Sequence, residues 1–176
     1  MPLYSFGEWV PQVHPEAWVA ENATIVGNVI VEAGANIWYG SVLRNEFRDP
    51  IIIGAGSSVQ DNSVLHTDPG LTLSVGRNVL IGHAACVHGA TLEDGCLIGQ
   101  HATVLNGAVV GAQSTIAAGA VVREGQQIPP GVLAAGVPAQ VVRELDDAAR
   151  DRPATAAAYY VRNGQAHARK RVLVKP

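Results

Sequence analysis

Three histidines within one short stretch of the chain are of the residue type that binds transition-metal ions. They are His66, His83 and His88, and Gln60 and Asp61 precede them. Three imidazoles around Zn²⁺ leave one coordination position open, and such sites lower the pKa of a coordinated water to about 7. Imidazole also suits iron and cobalt, so Fe²⁺ or Co²⁺ are alternatives to Zn²⁺. The residues predict a metal site if the fold brings them together.

The elements that must position these side chains are indicated by a repeat. Aliphatic residues recur every six positions from Val13 to Ala134, with three breaks in phase. The residue four positions further on is usually small or β-branched. This pattern predicts a parallel β-solenoid in which each hexad is a short strand plus a corner, and three hexads make one triangular coil. Twenty hexads give about seven coils, and the general rule for parallel crossovers favours right-handed ones.

Two of the breaks are insertions of four residues each. They fall in LRNEFRDPI (residues 43–51) and LHTDPGLTL (residues 65–73), and both contain an Asp-Pro pair, which favours a turn. Inserted residues leave a solenoid as loops, and such loops commonly build functional sites.

The hexad pattern ends near residue 139, which predicts two segments: a β-helix over residues 1–139 and a helical extension over residues 140–176. Residues 141–151 are expected to form a helix that Pro153 interrupts, and an Ala-rich second helix follows, weakened by Gly164. The extension is expected to pack on the β-helix, since an open end exposes unpaired strand edges.

Composition excludes several classes of function. The formal charge of −3 gives no reason to expect nucleic acid or a membrane as partner. No stretch of 18 apolar residues is present, and the first residues lack the pattern of a signal peptide. We expect a soluble, cytoplasmic protein.

The hexad count places the histidines on two different walls of the solenoid. His66 and His88 both follow an inward aliphatic residue on the same wall, so they stack on adjacent coils, about 4.8 Å apart along the axis. Arg44 lies one coil below them in the same column. His83 lies on the preceding wall, stacked on Asp61.

One chain therefore cannot easily bring all three histidines to one ion, whereas a threefold arrangement of chains can. His66 and His88 of one chain would meet His83 of its neighbour, and Arg44 would face the neighbour's Asp61 in a salt bridge. The register predicts a homotrimer with one metal ion at each subunit interface.

Four segments resemble the γ-class carbonic anhydrases, in particular their short-loop bacterial members. They are LRNE (43–46), VQDNSVLH (59–66), IGHAACVHG (81–89) and GVPAQVVREL (136–145). The resemblance implies a left-handed parallel β-helix, a homotrimer with interfacial metal, and reversible hydration of CO2 to bicarbonate. It also implies that His66, His83 and His88 are the ligands, and that Arg44 and Asp61 form the interface pair.

The resemblance assigns further roles and shows two departures. Gln60 matches the glutamine that hydrogen-bonds the metal-bound water, and Glu46 stands where the family's LRxD motif has an aspartate. The long acidic loop of the archaeal prototype, with its glutamate proton shuttle, is here a short TDPG, with Asp68 as the sole acid. Proton transfer would then rely on Glu46, Asp68 or solvent. Asn163 matches an asparagine of the C-terminal helix, but His167 replaces the tyrosine expected after it, and no role is assigned to Tyr159 or Tyr160.

Two alternatives remain open. The first is a metal-binding trimer of this family with little or no CO2 hydration activity and an accessory or thioesterase-like role, which the short loop favours. The second is a hexapeptide acyltransferase, a class that needs one histidine in an extended loop and would leave the three histidines unexplained. The other histidines, His14, His101 and His167, are expected to lie at the surface.

Overall fold

A computed structural model describes residues 3–172, which form a triangular β-solenoid followed by one long helix. Residues 1–2 and 173–176, at the ends of the two predicted segments, lie outside the described residues. Three sheets form the walls of the prism, and we call them walls A, B and C. The coils are left-handed, as the resemblance implied, so the general preference for right-handed crossovers does not hold here.

The strands of each wall are two to five residues long. Wall A contains β1 (Leu3–Tyr4), β4 (Thr24–Gly27), β7 (Val42–Asn45), β10 (Val64–His66), β13 (Cys86–His88), β16 (Thr103–Val104) and β19 (Val121–Val122). Wall B contains β2 (Gln12–Val13), β5 (Val29–Val31), β8 (Ile51–Ile53), β11 (Leu73–Val75), β14 (Thr91–Leu92), β17 (Val109–Val110) and β20 (Gln127–Ile128). Wall C contains β3 (Trp18–Val19), β6 (Asn36–Ile37), β9 (Ser58–Val59), β12 (Leu80–Ile81), β15 (Leu97–Ile98), β18 (Thr115–Ile116), β21 (Val132–Ala135) and β22 (Gln140–Glu144).

The core is a set of aliphatic columns that run along the solenoid axis. Each wall adds one strand per coil in parallel register, so the inward residue of one coil lies on that of the next. On wall A this column is fully buried and comprises Ile25, Leu43, Leu65, Val87, Val104 and Val122. β-Branched side chains suit such a pleated, tightly packed surface.

The prediction of a helix over residues 141–151 is wrong for the first half of that range. Strand β22 instead pairs antiparallel with β21 at the end of wall C. The last coil leaves a strand edge with unpaired backbone groups, and pairing with that edge outweighs the local helix preference.

A single helix, α1 (Asp147–Lys170), replaces the two helices predicted around Pro153. Asp146 caps its start by accepting a hydrogen bond from the Ala149 N–H at 2.8 Å. Pro153 lies in its second turn and is buried, so the helix continues through a residue that cannot donate to the ladder. Gly164 is buried against Trp18, and a Cβ there would lie 3.1 Å from the indole ring, so this glycine permits close packing on wall C.

Helix α1 has no membrane-spanning character. None of the helical structure between residues 3 and 172 combines the length and the apolar composition needed to cross a bilayer.

Candidate metal centre

Two of the three predicted ligands, His66 and His88, lie side by side on wall A. They are direct partners in the β10–β13 register, and Arg44 is the partner of His66 in β7, as the hexad count predicted. His66 Nδ1 and His88 Nε2 are separated by 2.9 Å, and the rings meet edge to face. The sequence therefore correctly placed this column.

The spacing of these nitrogens fits a shared metal ion. Two imidazoles bound to one tetrahedral ion at about 2.0–2.1 Å hold their nitrogens about 3.3 Å apart, so only a few tenths of an ångström separate the observed arrangement from that geometry. Each ring is half-buried, and its other nitrogen faces an oxygen: Glu46 Oε2 lies 3.2 Å from His66 Nε2, and Asn106 Oδ1 lies 2.6 Å from His88 Nδ1.

Burial, followed by the charges of Arg44 and His88, lowers the pKa of His66 below its ordinary value, and Asp68 opposes the shift. The neutral form is therefore favoured. A neutral imidazole is the form that binds metal, so the surroundings prepare His66 for this role.

His83 lies on a different wall, as the register predicted. Its Nδ1 is 2.9 Å from Asp61 Oδ2, and its side chain is 45% exposed. Among the described residues, the histidine and carboxylate groups that could hold an ion together are His66, His88 and Asp68, whose atoms lie within 4.8 Å of one another. One chain thus presents two of the three predicted ligands together, and the third faces outward elsewhere.

Glu46 and Arg44 contact each other within the chain. The guanidinium of Arg44 pairs with Glu46 Oε1, while Glu46 Oε2 faces His66, so both carboxylate oxygens are engaged. Asp61 is engaged with His83. The pairing of Arg44 with a neighbour's Asp61 stays a prediction.

Gln60 is held in a buried polar network that the sequence did not reveal. Its side chain is 2% exposed, and its Nε2 donates to Ser58 Oγ at 2.9 Å. Ser58 donates in turn to Asn36 Oδ1, which also accepts from the indole N–H of Trp38. Asn36 and Ser58 each precede an inward aliphatic residue of wall C, so their stacking could have been read from the hexad count.

Gln60 and His83 line a common cavity of about 450 Å³ between wall C and helix α1. Tyr160 closes one side and packs on Trp38, with ring centroids 5.7 Å apart. The remaining lining is largely aliphatic, from Leu80, Leu97, Ile98 and Ile116.

The candidate residues of the C-terminal helix lie in different surroundings. Tyr159 is exposed, and Asn163 lines a separate cavity with Tyr39. His167, expected at the surface, is half-buried: its Nδ1 is 2.9 Å from the Tyr39 hydroxyl and its ring packs on Trp38. His14 and His101 are exposed as predicted.

Comparison with known proteins identifies the repeat. Residues 89–124 match the family model described as bacterial transferase hexapeptide (six repeats), and residues 72–99 match the hexapeptide repeat of succinyl-transferase. The crystal structure of a putative acetyltransferase from Bacillus cereus has a TM-score of 0.90 at 35% identity, covering 94% of this chain and 95% of that one.

Several relatives carry the name carbonic anhydrase, among them a plant protein and an archaeal one. The chain is 41% identical to gamma carbonic anhydrase 1, mitochondrial, of Arabidopsis thaliana, over 90% of this chain and 59% of the plant protein, so it spans about three fifths of that relative. It is 50% identical over 129 residues to a probable carbonic anhydrase of Methanocaldococcus jannaschii, which covers 73% of this chain and 80% of that protein. With this identity over most of both chains, the protein belongs to the γ carbonic anhydrase family.

Proposed function

We propose that this protein is a γ-type carbonic anhydrase that hydrates CO2 reversibly at a metal site shared by two chains of a homotrimer. The observation that carries the proposal is the placement of the histidines: His66 and His88 face each other at 2.9 Å, while His83 faces outward on another wall. The names of the relatives support the reaction. In the proposed homotrimer, His83 of the neighbouring chain would supply the third imidazole.

Zn²⁺, Fe²⁺ and Co²⁺ all accept a three-histidine site, and we propose one ion per interface. When bound, the metal supplies a Lewis acid that lowers the pKa of a coordinated water. The chain's own part is to place Gln60 rigidly beside His83 through Ser58 and to line the cavity with aliphatic side chains, which suits a small apolar substrate.

Glu46 is proposed as a proton acceptor that is released from Arg44 when the homotrimer assembles. In the single chain its Oε1 is occupied by Arg44. If Arg44 turns to the neighbour's Asp61, that oxygen becomes free beside His66, where it can accept a proton. Asp68 or solvent would carry the proton onward, because the short loop offers no other acid.

Stopped-flow CO2 hydration with anaerobically reconstituted protein tests the activity. Samples loaded with Zn²⁺ or Fe²⁺ are each compared with metal-free protein, and elemental analysis gives the metal content. We expect a rate that exceeds the buffer background and rises with metal content. One metal per chain without such a rate would contradict the enzyme and favour the metal-binding trimer without CO2 hydration.

An acyltransferase is the second candidate, since the B. cereus structure bears that description. A coenzyme A release assay with acetyl-CoA and amine acceptors separates the two reactions. The three histidines and the buried Gln60 favour the hydration reaction, because acetyl transfer has no use for a metal cluster. The cytoplasmic location stays a prediction.

Reversing the charge of Arg44 is expected to dissociate the homotrimer. Arg44→Glu would set two carboxylates against each other across each interface, and like-charge contacts cost several kcal/mol. Adding Asp61→Arg should restore the pair and hence the homotrimer. Analytical ultracentrifugation gives the mass, with Arg77→Glu, at an exposed corner after β11 of wall B, as control. A trimeric Arg44→Glu protein would contradict the proposed pair.

A further inference from the structure

Behind His88, on the side away from His66, two polar side chains form a series of hydrogen bonds. His88 Nδ1 lies 2.6 Å from Asn106 Oδ1, and Asn106 Nδ2 donates to Asp68 Oδ2 at 2.7 Å. All three side chains belong to successive coils of wall A or to the loop beside it. The family resemblance gave Asn106 no role.

The polarity of this series is fixed by chemistry. A carboxylate only accepts hydrogen bonds, so the amide nitrogen of Asn106 must face Asp68 and its oxygen must face His88. An amide oxygen also only accepts, so His88 Nδ1 must carry the hydrogen. In the neutral ring the lone pair then lies on Nε2, the atom that faces His66 at 2.9 Å.

The surrounding backbone is shaped to seat the Asn106 amide. Gly89 follows His88 with φ of +50°, and a Cβ at that position would collide with Asn106 Oδ1. The loop that carries Asp68 is anchored by Thr67, which is fully buried and donates to the Leu71 carbonyl at 2.6 Å. Both ends of the series are therefore held in place.

We propose that Asn106, oriented by Asp68, is a positioning residue that fixes the tautomer of His88 and presents its Nε2 to the metal. This rests on the proposed metal site and deepens it. Asp68 then acts behind the ligand and not as a ligand, although its carboxylate is near enough to both rings to compete for that role. Loss of such an orienting partner typically weakens metal affinity 10–100-fold.

Three variants of the full chain test this role by Zn²⁺ affinity, measured in competition with a chromophoric chelator. Asn106→Ala should bind roughly 10–100-fold more weakly. Asp68→Asn should also weaken binding. A hydrogen bond between two amides can form in either direction, so it no longer fixes the orientation of the Asn106 side chain. The double variant Asp68→Asn/Asn106→Asp restores a donor at 68 and an acceptor at 106, so it should recover most of the affinity. Gln127→Ala, an exposed amide that bonds only locally, is the matched control.

Ring ¹⁵N spectra of the metal-free protein at pH 8 report the tautomer directly. We expect His88 to be protonated at Nδ1 in the unaltered protein and to become a tautomer mixture in Asn106→Ala, with the signal assigned by its loss in His88→Ala. A purely structural role for Asn106 would not change this signature.

Either of two results would overturn the role of Asn106. One is an unchanged affinity and tautomer in Asn106→Ala. The other is an Asp68→Ala protein that loses far more affinity than Asn106→Ala while the His88 tautomer persists, which would make Asp68 a ligand. Neither measurement involves CO2, so a protein that binds metal without hydration would end the proposed reaction and leave the His88 assignment standing.

Discussion

His83→Ala is expected to lose stable metal binding although His66 and His88 are unchanged. The pair on wall A offers two imidazoles, and a catalytic zinc site takes three protein ligands. The loss should exceed the roughly 100-fold that removal of an orienting partner costs. Elemental analysis after gel filtration and chelator competition measure it.

The control for this variant is His101→Asn. His101 lies one coil further along the solenoid, one position beyond the residue that stacks on His83. Its backbone N–H donates to the His83 carbonyl, and its side chain is exposed. Asparagine tolerates the positive φ of 58° at this position. Normal metal content in His83→Ala would show that the proposed intersubunit site is wrong.

Mixing two inactive variants gives a stricter test of sharing. The His83→Ala chain keeps the wall A pair, and the His66→Ala/His88→Ala chain keeps His83. In trimers that assemble at random from an equal mixture, about half of the interfaces have an intact His66–His88 pair, and about half of the chains facing them have an intact His83. About one quarter of the sites should therefore contain all three histidines. A site made within one chain would recover no metal.

Leu65→Ala is expected to have the largest effect on stability. Leu65 is fully buried between Leu43 and Val87 in the aliphatic column of wall A, and β10 carries His66 beside it. Truncation of a buried leucine costs about 2–5 kcal/mol, since the rigid coils above and below cannot close the cavity. Denaturant unfolding followed by circular dichroism gives the free energy of unfolding.

Val10→Ala provides the comparison, because Val10 is 62% exposed and lies outside the strands. Its effect should stay within about 0.5 kcal/mol. If Leu65→Ala were equally mild, the inward columns would not be the main source of stability.

The sequence was sufficient to predict the coils and the columns because their residues obey one strict period. A shift of a single position would turn Leu65 toward solvent and His66 into the core, so burial itself specifies the register. The pairing of His66 with His88 and Arg44, and the stacking of His83 on Asp61, followed from counting alone.

Features that depend on competition between elements were not predictable in this way. Residues 141–144 belong to a predicted helix, yet they form part of strand β22, because the edge of β21 would otherwise be unpaired. Pro153 normally ends a helix, but packing against the solenoid keeps α1 continuous. Local propensity is a weak indicator wherever a tertiary partner is within reach.

The role of Asn106 was not predictable for a different reason. Polar residues at the corners of a solenoid usually face water, and nothing in the residue type separates Asn106 from those. Only the inserted loop, by returning Asp68 to this corner, gives the amide two partners. Loop conformation is not encoded in the hexad period, so this part of the site was not predictable from the sequence.

The antiparallel direction of β22 also limits extension of the solenoid by further coils. A further coil on wall C would need a parallel strand on β21, and that edge is already taken by an antiparallel one. End-to-end stacking of solenoids through this wall, the route by which exposed edges nucleate fibres, would first have to strip β22 away. Strand β22, which follows the repeat, thus ends the solenoid and hinders its end-to-end association.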